Sequence, residues 1–174
     1  MKVVFFGTPP FAAKLLKVLL EQGFSIVAII TKPDKPQGRS KEPLFPAVKE
    51  TALLYAPNIP LFQPEFVSAP DFAPTLAQFD ADLFVVVAYG EIIKQHLLDM
   101  PRLGCINVHA SILPKYRGAA PIQRAIIGGE EESGVTIMQM VRKMDAGDMI
   151  RVAKVPIGQN MIYGELENEL CEAA

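Results

Sequence analysis

Short apolar runs alternate with longer amphipathic stretches over residues 1–110. Residues 2–6, Lys-Val-Val-Phe-Phe, form a β-branched and aromatic run that ends at Gly7, the pattern of a strand buried on both faces. Thr8 is placed to cap a helix, Pro9 suits its first position, and 11–22 carries a polar stripe at Lys14, Lys17 and Glu21 before Gly23 ends it. Further strands are expected at 24–30, at 59–62 after a helical stretch over 47–55, at 83–87 and at 105–108. Residues 91–98 read as a polar helical stretch with His96 on its surface. Two more strand-like runs, 135–140 and 149–155, flank turn residues around Ala146-Gly147, and Ile162, Leu166 and Leu170 recur at helical spacing near the end of the chain.

This alternation predicts an α/β fold with a mostly parallel open sheet and helices on both faces, because parallel neighbours need a crossover that a helix supplies. The last two strands are close enough in sequence to form an antiparallel addition. A chain of 174 residues, half of them hydrophobic, is expected to fold as one domain. There is no internal repeat, and the one long irregular stretch is 31–46, rich in proline and charge.

Composition narrows the function classes. A net charge of −2 excludes a protein that grips nucleic acid over its whole surface, so any polyanion must meet a local patch. Cys105 and Cys171 form no C-x-x-C pair, which points away from a disulfide framework or zinc site and towards a reducing, cytoplasmic setting. Residues 1–13 are a poor signal peptide, since Lys2 is the only charge and Thr8-Pro9-Pro10 interrupts the run. No stretch approaches the roughly 20 apolar residues that span a bilayer, so no membrane partner is expected.

In an open α/β sheet, ligands bind beyond the carboxyl ends of the strands. There the fifth strand offers Asn107 and His109, at i and i+2 on one side of a strand and roughly 6.6 Å apart along it. An amide and an imidazolium can both donate to the oxygen that becomes negative in a tetrahedral intermediate, which suits acyl transfer. The histidine needs a carboxylate partner, and Asp145 and Asp148 are both available. A lone Asn or His at a strand end is more commonly a local hydrogen-bonding residue, so residue types alone do not establish catalysis. The two His and two Cys are scattered, and no metal is expected. Gly7-Thr-Pro-Pro lacks the glycines of G-x-G-x-x-G, which argues against a dinucleotide-binding oxidoreductase.

His109 runs directly into Ala-Ser-Ile-Leu-Pro-Lys-Tyr-Arg-Gly-Ala-Ala-Pro121. As a whole this resembles the formyltransferase family, whose pattern is an Asn-x-His strand end followed by a Ser-Leu-Leu-Pro-x-x-Arg-Gly loop; only Ile112 departs from it, conservatively. The resemblance extends over 3–157 through Phe6-Gly-Thr-Pro9, Val86-Val-Ala-Tyr-Gly90 and Gly134-Val-Thr-Ile-Met-Gln139. It implies a Rossmann-like open sheet and direct transfer of a formyl group from formyl-tetrahydrofolate to an amine. Asn107, protonated His109 and Asp145 are then catalytic, and Asp148 caps or turns the loop. For the folate donor it implies Ala88, Tyr89, Gly90, Ile92 and 141–144, Val141 and Met144 among them, with Ser111, Ile112, Leu113 and Pro114 in the donor-contacting loop.

The stretch 31–41 carries Lys32, Lys35, Arg39 and Lys41 against Asp34. Members of the family that act on tRNA have an inserted Gly-Arg-x-Lys loop at this place, matched by Gly38-Arg39-Ser40-Lys41. The resemblance therefore implies the methionine amino group of initiator methionyl-tRNA as acceptor, with Arg39 and Lys41 on the acceptor stem and Gly7 and Thr8 near the terminal nucleotide. It further implies that 1–174 is a monomeric catalytic domain truncated near its last helix, without the family's basic C-terminal β-barrel, so that it keeps the folate pocket and binds tRNA weakly. The competing expectations are transfer to an amino sugar or a purine precursor, hydrolysis of the donor by the same residues, or a folate- or RNA-binding module without catalysis. The last is disfavoured because all three polar positions are present.

Overall fold

Val3, Val4, Phe5 and Phe6 are almost completely buried, as a strand covered on both faces requires. They belong to β1 (Lys2–Gly7), the start of a computed structural model that describes residues 1–36 and 43–174. Two compact units make up the chain, Met1–Cys105 and Ile106–Ala174.

In the first unit β1 leads into α1 (Pro10–Glu21), whose Phe11, Ala12, Leu15 and Leu16 are buried while Lys17 and Glu21 pair on the exposed side at 3.7 Å. Thr8 does not cap this helix. Pro9 occupies the N-cap position with Pro10 in the first turn, so Thr8 lies one residue too early, and its hydroxyl donates instead to the Tyr89 carbonyl at 2.7 Å. After β2 (Ser25–Ile30) the supposedly irregular stretch contains a short antiparallel pair, β3 (Lys35–Pro36) with β4 (Pro43–Leu44). Next come α2 (Ala47–Tyr55), which packs on α1, then β5 (Leu61–Phe62), α3 (Ala73–Ala77), β6 (Leu83–Val87) and α4 (Gln95–Leu98).

Apart from the β3–β4 pair, the strands of this unit run parallel in one sheet, with β1 between β2 and β6 and β5 on the far side of β2. α4 is much shorter than the helix expected over 91–98. The preceding residues are held by tertiary bonds that a helix would break: Glu91 accepts the Val67 N–H and pairs with Lys32, while the Ser68 hydroxyl accepts from Lys94 N–H. His96 is exposed, as expected.

The second unit is antiparallel. β7 (Cys105–His109) pairs with β8 (Glu132–Gln139), which pairs with β9 (Met149–Pro156). The turn-rich segment between β7 and β8 contains α5 (Pro121–Ile127), a helix the apolar pattern does not announce. α6 (Tyr163–Ala173) packs on β8 and β9 through the fully buried Leu166 and Leu170, and the Glu165 carboxylate accepts the Ile162 N–H at its start. The fold class thus follows the expectation of parallel strands alternating with helices and an antiparallel C-terminal addition.

Gly7 marks a close approach. A Cβ there would stand 2.7 Å from that of Ala12 and 2.8 Å from the Phe5 ring, both buried. Overpacking of this kind costs about 1–3 kcal/mol. Gly7→Ala is therefore expected to lower the urea midpoint by a corresponding amount with the slope of the transition unchanged, and an unshifted midpoint would show that the turn relaxes freely.

Candidate active site

The last residues of β7 bring Asn107 and His109 to one place, and the β8–β9 connection returns a carboxylate to both. Asn107 Nδ2 donates to Asp145 Oδ1 at 3.3 Å, and His109 Nδ1 stands 3.7 Å from Asp145 Oδ2. The latter distance is longer than a hydrogen bond. The tightest bond to this carboxylate is from backbone, the Gly118 N–H donating to Oδ2 at 2.7 Å. His109 and Asp145 are 7% and 11% exposed at their side chains, so neither group is freely solvated.

On the other side of the ring, His109 Nε2 lies 3.0 Å from the Tyr116 carbonyl oxygen. A carbonyl can only accept, so Nε2 carries a proton in every state of the ring that keeps this bond. The second proton of the imidazolium then belongs on Nδ1, facing Asp145.

The loop supplying these backbone groups is folded on a buried polar knot. The Ser111 hydroxyl donates to the Lys115 carbonyl at 2.7 Å, the Ser111 carbonyl accepts from Thr136 Oγ1 at 2.7 Å, and that oxygen accepts the Leu113 N–H at 3.2 Å. Ser111 and Thr136 are fully buried. Thr136 is the register partner of His109 across β7–β8, which is how the knot is tied to the strand end. Asp148 closes the other loop through its main chain, its carbonyl accepting from Gln139 N–H at 2.9 Å. β9 has an extra residue just beyond, since Ile137 pairs with Arg151 and Met138 with Met149, a bulge of the kind that re-aims side chains beside a site.

Of the residues expected on the donor, Ser111 and Leu113 are interior and shape the loop, whereas Pro114, Val141 and Met144 are exposed and Ile112 is half-buried. In the first unit Ala88, Gly90 and Ile92 are exposed beyond the end of β6. Tyr89 is buried, and its ring meets Phe6 edge-on. Burial pushes its phenol well above the ordinary range. Gly7 is buried and Thr8 is bonded to the Tyr89 carbonyl. Arg39 and Lys41 lie outside the described residues.

Not all the cations of 31–41 are available to a polyanion. Lys32 Nζ is bonded to Glu91 at 2.7 Å and to the Glu65 carbonyl at 2.8 Å. Asp34 holds the base of the β3–β4 pair to the unit, accepting from Gln63 at 2.7 Å and Lys49 at 2.6 Å. Lys35 is exposed. Among the described residues no group of three or more His, Cys, Asp or Glu could hold a metal ion.

The sequence does not single out Thr136, the Tyr116 carbonyl or the Gly118 N–H as a donor to Asp145. Thr136 was accessible from it, because an antiparallel pairing of 105–108 with 135–140 sets a hydroxyl opposite the strand end that bears His109. The carbonyl of Tyr116 carries no sequence signal.

The formyl transferase family model matches residues 1–174. This chain belongs to that family. Similar relatives include the methionyl-tRNA formyltransferases of Protochlamydia amoebophila, 64% identical over 99% of this chain and 54% of that protein, and of Chlamydia abortus, 51% identical over 98% and 52%. That of Pseudomonas putida is 50% identical over 99% and 55%. The chain thus spans about half the length of these relatives. Among solved structures, phosphoribosylglycinamide formyltransferase from Bacillus halodurans has a TM-score of 0.77 at 20% identity, covering 98% of this chain and 87% of that one. A sugar 3N-formyl transferase crystallised in the presence of dTDP and 5-N-formyl-THF has a TM-score of 0.67 at 22% identity, covering 99% and 58%. At such identities the likeness is one of fold. No helix among the described residues is long and apolar enough to cross a membrane.

Two measurements check the local account. Thr136→Val leaves the Leu113 N–H and the Ser111 carbonyl without their buried partner, so it is expected to destabilise the protein by about 1–3 kcal/mol in equilibrium unfolding, although it preserves volume. Asp34 has its carboxyl held below the usual value of 3.8 by the hydrogen bonds from Gln63 and Lys49. A depressed carboxylate stabilises in full above its unfolded value and loses this as pH falls through its folded one. Asp34→Asn is accordingly expected to flatten the acid limb of the melting-temperature profile, and parallel limbs for the two proteins would refute the anchoring role.

Proposed function

We propose that this chain catalyses transfer of the formyl group of formyl-tetrahydrofolate to the methionine amino group of initiator methionyl-tRNA, a step of translation initiation in the cytoplasm. The observation that carries the reading is the convergence of Asn107 and His109 on Asp145, together with close similarity to several methionyl-tRNA formyltransferases. The folate is a donor cosubstrate, and no step calls for a metal.

The neutral amine attacks the formyl carbon and forms a nitrogen–carbon bond. The resulting oxyanion is stabilised by Asn107, which has a second amide N–H beyond the one given to Asp145, and by the positive charge of protonated His109. Asp145 faces that charge at Nδ1 and takes up the proton released by the attacking nitrogen, directly or through water. Collapse of the tetrahedral intermediate breaks the bond between the carbon and the folate nitrogen, which regains a proton as it leaves. Pro114, Val141 and Met144, exposed in the same unit, are assigned to the donor with Ile112. Arg39 and Lys41 are assigned to the phosphates of the acceptor stem, with Lys35 beside them in sequence.

Asn107→Ala, His109→Ala and Asp145→Ala are each expected to lower kcat by about 100-fold or more in protein that is still folded at the assay temperature, a loss larger than any change in the folded fraction can produce. Near-normal turnover in any of them would remove that residue from the mechanism. Comparing methionyl-tRNA, an amino-sugar nucleotide and phosphoribosylglycinamide as acceptors tests the substrate, and preference for either small amine would overturn the tRNA assignment.

A further inference from the structure

One polar cluster outside the three central residues reaches back to His109. Glu130 sits between α5 and β8, its own N–H bonded to the Ala125 carbonyl at 3.1 Å. Its carboxylate accepts the Tyr116 hydroxyl at 2.7 Å and the Lys115 ammonium at 2.8 Å. The Arg124 guanidinium lies over the Tyr116 ring, 5.2 Å from its centre. Gly128 leaves the hydroxyl its place, since a Cβ there would stand 2.6 Å from that oxygen. The side chain is therefore gripped at its tip and on its face. Its backbone has φ of 58°, a conformation that costs an L residue roughly 1–2 kcal/mol. The carbonyl of this same residue is the one that receives His109 Nε2.

We propose that Glu130 is a positioning residue for His109: by holding the Tyr116 hydroxyl it keeps the Tyr116 carbonyl on Nε2 and so confines the exchangeable second proton to Nδ1, opposite Asp145. The left-handed backbone at Tyr116 is what aims the carbonyl. Without its side-chain anchor the residue returns to negative φ, the following peptide turns, and Nε2 loses its acceptor. The Lys115 hydrogen bond draws the Glu130 carboxyl below its ordinary range, and the Glu130 hydrogen bond raises the Tyr116 phenol, so acceptor and donor keep their roles at neutral pH. Lys115 adds charge to the cluster, its ammonium bonding the two oxygens of Glu130.

The inference rests on the function proposed above only where turnover is concerned, and its test reads the ring itself. Nitrogen-15 NMR of the imidazoles reports the tautomer of neutral His109, with exposed His96, the other histidine of the chain, as internal reference. The wild-type protein is expected to show the Nε2–H form. Tyr116→Phe, which keeps the ring, and Glu130→Ala are both expected to give a mixture with the Nδ1–H form. Glu130→Gln, which still offers the hydroxyl an acceptor, and Lys115→Met are expected to keep the wild-type pattern. Turnover in Tyr116→Phe should fall by up to about 100-fold in kcat, with KM for the donor little changed. An unchanged His109 pattern in both Tyr116→Phe and Glu130→Ala overturns the proposal. A changed tautomer with undiminished turnover upholds the positioning and instead removes His109 from catalysis.

Discussion

A carboxylate as enclosed as that of Asp145 needs donors, and the second unit is arranged to provide them. The Gly118 N–H and the Asn107 amide occupy its two oxygens, while the His109 ring stands just beyond hydrogen-bond range. Three separate chain segments must therefore be in register for these donors to meet the one carboxylate. The strand end, the loop after it and the β8–β9 connection are each incomplete without the other two. The same contacts that satisfy the carboxylate also fix where charge can develop beside it, so folding and preorganisation are here one requirement.

The buried knot of Ser111, Leu113 and Thr136 does this work at one remove. The Ser111 and Thr136 hydroxyls, the Ser111 carbonyl and the Leu113 N–H are all partnered within this short stretch and across to β8. Such satisfaction rigidifies a loop that would otherwise have many conformations. In the first unit a comparable role falls to ion pairs. Lys32 with Glu91 joins the segments that follow β2 and β6, Lys49 of α2 with Asp34 holds the residue before β3, and their partial burial makes both pairs less sensitive to salt than surface pairs.

Much of this was legible in the residues. The buried strands announced themselves because a strand covered on both faces has no polar positions to blur it, as with Val3 to Phe6 and Phe84 to Val87. Asn107 and His109 were legible as a pair because the two-residue period of a strand leaves them on one side. The choice of Asp145 over Asp148 was not available from spacing, since a loop can present either, and it came from the family pattern. Residues 91–94 were misread as helix because the bonds that hold them, to Val67, Ser68 and Lys32, come from distant sequence. α5 went unseen since it is a short helix begun by Pro121 in a turn-rich segment. The backbone donors and acceptors of the site were illegible for a simpler reason: every residue has them, and only geometry selects which ones matter.

Tyr116, Ala120 and Asp145 all adopt positive φ, as does Gly118 between the first two. At such positions a side chain branched at Cβ clashes with its own backbone more severely than a linear one. Replacement of any of the three by Val, Ile or Thr thus carries a main-chain penalty in addition to whatever chemistry is lost. The range of residues this neighbourhood can accept over evolutionary time is therefore bounded first by stereochemistry and only then by reactivity.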